Sequence, residues 1–174
     1  MANWTKRDLE KQFERSQRDG WTAFFQEGST GYDFPVAVLM AVASRETNVR
    51  NIIGDGGHGY GIMQIDDRSF PDWCHSGVWK DPRSAILKGV QVLDGKREDI
   101  INNQGKRIRF AGTSFVGKDN LTQDEILRTS LAGYNSGWWA YYNLSVKGDP
   151  DLRTTGRNYS SDTLQRAAIF QSTP

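Results

Sequence analysis

The sequence holds a single cysteine, Cys74, and only two histidines, His58 and His75. One thiol excludes an internal disulfide. So small a supply of sulfur and imidazole argues against a structural or catalytic transition-metal centre, and no run of carboxylates follows a calcium-loop pattern. The expectation is a protein with neither metal nor cofactor. Cys74 and His75 are chain neighbours, and neighbours rarely face each other as a nucleophile and its base. Excess charge of one sign is missing too: 22 Lys and Arg stand against 21 Asp and Glu, a net of +1. That balance gives no strong pull toward nucleic acid or a membrane surface. No apolar run reaches bilayer-spanning length. The opening Met1-Ala2-Asn3-Trp4-Thr5-Lys6-Arg7-Asp8 carries charge but no apolar leader core. No internal repeat and no linker composition interrupts the 174 residues, a length suited to one domain with a sizeable core. The expected organisation is a single domain, 1–174, with residues 1–32 as a helical extension to a core of 33–170.

What the chain does have is concentrated between Phe34 and Asp67. Phe34-Pro35-Val36-Ala37-Val38-Leu39-Met40-Ala41-Val42-Ala43 is apolar on every helical face, and such a helix is buried. Pro35 suits the first helical position, where its missing N–H costs nothing. The run ends in Ser44-Arg45-Glu46, which puts a carboxylate at the C-terminal end of a core helix. Burial and the negative end of the helix dipole both raise a carboxyl's pKa, and a carboxyl protonated near neutral pH is what a general acid needs. Gly54, Gly56, Gly57, Gly59 and Gly61 then form a loop that permits tight turns and close approach to a ligand. Asp55 and Asp66 flank it. One helix-end Glu facing two loop-borne Asp residues suggests paired-carboxylate chemistry on a glycosidic bond.

Elsewhere the pattern is helical. Thr5 and Asp8 form a capping box ahead of a helix through Ser16. Gly20 ends it, Trp21, Phe24 and Phe25 make a packing cluster, and Gly28 to Asp33 reads as a loop. Arg68 to Lys80 has no clear period. Asp81-Pro82 opens a long helix that fades near Asn102-Asn103. Residues 104–120 read as a loop or small hairpin with basic Lys106, Arg107 and Arg109. Thr122 and Glu125 cap a helix through Tyr134, with Gly137 as its stop. An aromatic strip, Trp138, Trp139, Tyr141 and Tyr142, follows, then a polar loop from Gly148 to Gly156. A last helix starts at about Ser161, with Leu164, Ala168 and Phe170 inward. The fold class is mainly α, with a short irregular β element near residues 60–66.

Ser44-Arg45-Glu46, then Gly54-Asp55-Gly56-Gly57-His58-Gly59-Tyr60-Gly61-Ile62-Met63-Gln64-Ile65-Asp66, resembles the core of goose-type lysozymes, glycoside hydrolase family 23. It also looks like the related lytic transglycosylase domain. Ala132-Gly133-Tyr134-Asn135-Ser136-Gly137 resembles the family's Ala-Tyr-Asn-Ala-Gly motif. The resemblance covers roughly residues 33–170, and it rests on these motifs occurring together and in this order. It implies a lysozyme-like α+β fold with the small β element beside a substrate cleft. It further implies a bacteriolytic, antimicrobial muramidase that cuts the β-1,4 bond between N-acetylmuramic acid and N-acetylglucosamine in peptidoglycan. On this resemblance Glu46 matches the general acid. Asp55 and Asp66, with the family's separation, match the acids that hold the attacking water. Tyr60, Gln64, Tyr134, Asn135 and Tyr159 match positions near the substrate groove.

Two features depart from the goose-type pattern. The vertebrate secreted members often carry disulfides, which one cysteine cannot form. The link from Glu46 to Asp55 is about four residues shorter and closer to that of transglycosylases, where the substrate's own 6-hydroxyl closes an anhydro ring. Asp66, by contrast, stands where transglycosylases usually continue with an apolar residue and a proline. A catalytically silent module that binds peptidoglycan or chitin is the reading from another class. The remaining expectations are a monomer that acts on glycan strands outside the cytoplasm, with no nucleic acid partner and no membrane insertion.

Overall fold

The computed structural model describes residues 4–173. Met1, Ala2 and Asn3, the head of the segment read as lacking a leader core, lie outside the described residues. The chain forms two compact units, one of residues 1–91 with 163–174, the other of residues 92–162. Both are helical with small antiparallel sheets, so the fold is mainly α with minor β, as the pattern implies. Among the described residues no helix is long and apolar enough to cross a membrane.

In the first unit, α1 (Lys6–Arg18) starts at a complete capping box in which Thr5 and Asp8 satisfy each other's backbone N–H. Next, α2 (Thr22–Tyr32) runs through the stretch read as a loop and stops where Asp33 turns left-handed, φ 53°. Gly28 is no breaker here. A Cβ at that position would sit 2.9 Å from Val90 Cγ2, so the missing side chain lets α2 approach its neighbour closely. The apolar helix, α3 (Val36–Thr47), buries Val38 through Ser44 without a break. A three-stranded antiparallel sheet follows: β1 (Ile53–Gly54), β2 (Gly59–Tyr60) and β3 (Ile65–Asp66), paired Ile53↔Tyr60 and Tyr60↔Ile65. A short α4 (Pro71–His75) and one 3₁₀ turn occupy the aperiodic stretch before α5 (Pro82–Asn102). Asp81 caps α5 by accepting from the Ser84 amide at 2.9 Å.

The second unit takes α5 from Val92 onward. Its hairpin pairs β4 (Arg107–Phe110) with β5 (Thr113–Val116) in the register Arg107↔Val116. Ala111 and Gly112 turn it with φ of 50° and 75°, the left-handed pair of a type I′ turn. A second complete capping box, Thr122 with Glu125, starts α6 (Gln123–Ser136). The aromatic strip is itself a helix, α7 (Trp138–Lys147), separated from α6 by Gly137. Tyr141 and Leu144 pack with Ile100, Phe115 and Ile126 in this unit's core, while Trp138 and Tyr142 lie half-buried against them. Four crowded aromatics conceal helical periodicity because each is large enough to be partly buried on any face. Finally, α8 (Tyr159–Gln171) starts earlier than its spacing suggests. From Thr163 onward α8 belongs to the first unit, where Ala167 and Phe170 are inward and Ala168 is exposed, one position off the expected stripe.

Candidate active site

Glu46 lies half-buried on the last turn of α3, as its place at the end of the apolar run requires. That helix end is held from several sides. Thr47 Oγ1 donates to the Ile62 carbonyl at 2.8 Å, tying α3 to the segment between β2 and β3. Arg15 of α1 donates to the Asn48 carbonyl at 2.9 Å, placing a cation on the negative end of the helix. The buried Arg166 of α8 donates to Ser44 Oγ at 2.8 Å. Directly after Glu46 the backbone turns left-handed twice, at Asn48 and at the fully buried Val49, both with φ of 54°. A β-branched residue in that region is strained, and such strain gathers at functional sites.

Asp55 and Asp66 are brought together by a residue the sequence reading passed over. Arg68 donates through Nε to Asp66 Oδ1 at 2.8 Å and through Nη2 to Asp55 Oδ2 at 3.1 Å. Its backbone N–H also donates to Asp66 Oδ1 at 3.1 Å. One cation between two carboxylates offsets their repulsion. Asp66 first, then Asp55 and Asp67, raise the guanidinium above its ordinary pKa. The signal that marks Arg68 is its spacing. It follows Asp66 by two residues in the turn after β3, where an Asp side chain accepts from the backbone N–H two positions on.

Asp55 itself adopts φ 47° and is exposed, as are Gly56 and Gly57 after it, so burial does not hold this loop. Gln64, at φ 53°, turns its amide inward: Nε2 donates to the Gly61 carbonyl at 2.9 Å and to Ile52 at 3.1 Å. Its Oε1 fills the space where a Cβ on Gly54 or Gly59 would stand. Those two glycines are therefore required by Gln64. Tyr60 is half-buried, with its ring edge-to-face on Trp79 at 5.6 Å.

The other three groove candidates belong to the second unit. Tyr134 is half-buried near the end of α6. The exposed Asn135 accepts from the Thr155 amide through Oδ1 at 2.8 Å. Tyr159 is buried at the start of α8, with its amide on Thr154 Oγ1 at 3.1 Å. Asp151, fully buried, organises that helix start by accepting from the amide and the hydroxyl of Ser160 at 2.9 and 2.7 Å. Cys74 is buried, and desolvation pushes its thiol up to about 11, so it is a packing residue and not a nucleophile. Among the described residues no group of three or more His, Cys, Asp or Glu side chains is placed to hold a metal ion.

A buried apolar helix ending in a half-buried glutamate, tied at Thr47 to a small antiparallel sheet whose acids share one arginine, belongs to a mainly helical, lysozyme-like α+β protein. The chain is a member of the lysozyme g family: the family profile, Lysozyme g, matches residues 19–173. Among its relatives, the lysozyme g of Cyprinus carpio is 31% identical over 143 residues, 78% of this chain and 64% of that protein. That of Takifugu rubripes is 24% identical over 178 residues, 98% of this chain and 84% of the relative. That of Struthio camelus is 28% identical over 139 residues, 78% of this chain and 58% of the relative. The match thus spans less than two-thirds of the carp and ostrich proteins.

Proposed function

We propose that this chain is a muramidase, a glycosidase that hydrolyses the β-1,4 bond between N-acetylmuramic acid and N-acetylglucosamine in bacterial peptidoglycan, with inversion. The observation that carries the reading is the gathering of Asp55 and Asp66 on Arg68, in the same unit as a glutamate at the end of the core helix. Glu46 protonates the leaving oxygen. The aspartates orient a water on the opposite face of the sugar and take up its proton as it attacks the anomeric carbon. Inversion requires acid and base roughly 6.5–9.5 Å apart to leave room for that water. Tyr60 contacts the glycan and Gln64 shapes the ribbon beneath it; of the second unit's candidates, Tyr134 and Asn135 keep surface to offer a sugar, whereas Tyr159 is buried and acts by packing. The enzyme works as a monomer on cell walls outside the cytoplasm.

The shortened link between Glu46 and Asp55 favours the second reading, a lytic transglycosylase. Digestion of purified peptidoglycan separates the two. Reducing ends that first appear as the α-anomer by NMR are expected. Anhydromuramoyl ends, lighter by one water (about 18 Da), or retained β configuration would overturn inverting hydrolysis. A wall that is bound but left uncut would identify a recognition module.

A further inference from the structure

The two histidines that the sequence reading left without a role converge on one carboxylate. His58 Nδ1 lies 2.9 Å from Asp67 Oδ1, and His75 Nε2 lies 3.5 Å from Asp67 Oδ2. The carboxylate is largely enclosed, its side chain 15% exposed, while the imidazoles are 50% and 62% exposed. The backbone doubles the first link, because the Asp67 amide donates to the His58 carbonyl at 3.0 Å. Each arm then leads to a residue of the proposed site. The His58 amide donates to the Asp55 carbonyl at 3.2 Å and closes the turn that carries Asp55. His75, at the end of α4, meets the Tyr60 ring edge-on at 6.2 Å between centroids. Asp66 precedes Asp67 in the chain, and Arg68, which bridges Asp55 and Asp66, follows it.

We propose that Asp67 is a positioning residue of the hydrolytic site, acting through His58 and His75 to hold the Asp55 turn, Tyr60 and Asp66 in register. The inference rests on the muramidase reading above. Its physical need lies in the turn itself. Residues 55–57 form one exposed 3₁₀ turn with positive φ throughout, closed by the His58 amide, so side-chain packing does not fix them. Arg68 grips the side chain of Asp55, and the His58–Asp67 pair grips its main chain. The bonds also set the imidazole geometry. A carboxylate only accepts, so His58 donates through Nδ1, while His75 turns Nε2 toward the second oxygen at 3.5 Å. His58 above all holds the Asp67 carboxyl below its ordinary range, so the acceptor stays ionised through neutral and mildly acidic pH.

The test compares atom-matched with truncating variants. Asn can present an amide nitrogen where His58 has Nδ1, and Gln can present one where His75 has Nε2. Asp67→Asn, His58→Ala and His75→Ala are expected to lower kcat on soluble peptidoglycan strands by about ten- to a hundredfold, the scale of a small misplacement of reacting groups. KM and the melting temperature should change little. His58→Asn and His75→Gln should recover kcat to within a few-fold of wild type. Without substrate, the amide resonances of Asp55, Gly56 and Gly57 should shift in Asp67→Asn. Unchanged kcat or unshifted resonances in Asp67→Asn would overturn the proposal. So would a His58→Asn variant as impaired as His58→Ala, and that comparison decides the matter if Asp67→Asn does not fold. Wild-type protein with no glycosidase activity sinks the muramidase reading instead, while the resonances still report on the clamp.

Discussion

Glu46 and Arg68 define what single side chains contribute. Glu46→Gln keeps the size of the side chain and removes its ionisable proton. It is expected to reduce peptidoglycan hydrolysis by about 10²–10⁴-fold, the usual contribution of a positioned general acid. Turbidity loss on bacterial walls, with circular dichroism to confirm folding, measures it, and near wild-type lysis would remove Glu46 from the mechanism. Arg68→Ala frees Asp55 and Asp66 from their shared cation and leaves two like charges close together. Hydrolysis should fall on the order of tenfold. The melting temperature should barely move, since Arg68 is exposed and surface ion pairs add little to stability. A large drop in melting temperature with normal kcat would reverse this assignment and make Arg68 structural.

At the scale of elements, the three-stranded sheet depends on absences. Gln64 projects its amide through the space above Gly54 and Gly59, so a methyl group at either position meets Gln64 Oε1. Gly59→Ala is expected to destabilise the fold by about 1–3 kcal/mol through overpacking, a loss of about 2–4 °C in melting temperature per kcal/mol for a chain of this size. The double variant Gly59→Ala/Gln64→Ala should recover much of that loss. Equal destabilisation in both variants would show that the collision is not the cause. Helix starts were legible because capping boxes at Thr5 and Thr122 are local chemistry, and the structure completes both. The course of α2 through Gly28 was not, because the reason for that glycine is Val90, far along the chain.

The molecule as a whole carries a set of carboxylates held below their ordinary values of 3.8 for Asp and 4.5 for Glu. Thr5 lowers Asp8, His58 lowers Asp67, Ser84 lowers Asp81 and Lys118 lowers Glu125. Each depressed carboxylate adds stability that is fully present above its unfolded pKa and disappears as pH falls through its folded pKa. Melting temperature should therefore hold level from neutral pH down to about 4.5 and fall as pH drops below about 4. Thermal melts between pH 7 and 2 check the sign; a melting temperature that rises on acidification would contradict it. Salt should weaken the effect, because most of these pairs are at the surface.

The sequence by itself determined the mainly helical class, the burial of α3, the helix-end position of Glu46 and membership of the lysozyme g family. These follow from apolar periodicity, capping chemistry and motif order, all of which are local. Only the tertiary structure decided that Asp55 and Asp66 meet on Arg68, that Gln64 turns its amide onto the backbone, and that both histidines close on Asp67. Lone polar side chains in an aperiodic stretch carry no pattern of their own. Their partners are chosen when the antiparallel sheet folds residues 53–66 back on themselves and α4 returns His75 to the same place. Pairing of that kind depends on where the backbone goes, and the backbone there is steered by left-handed residues such as Asp55 and Gln64, whose side chains do not require that conformation.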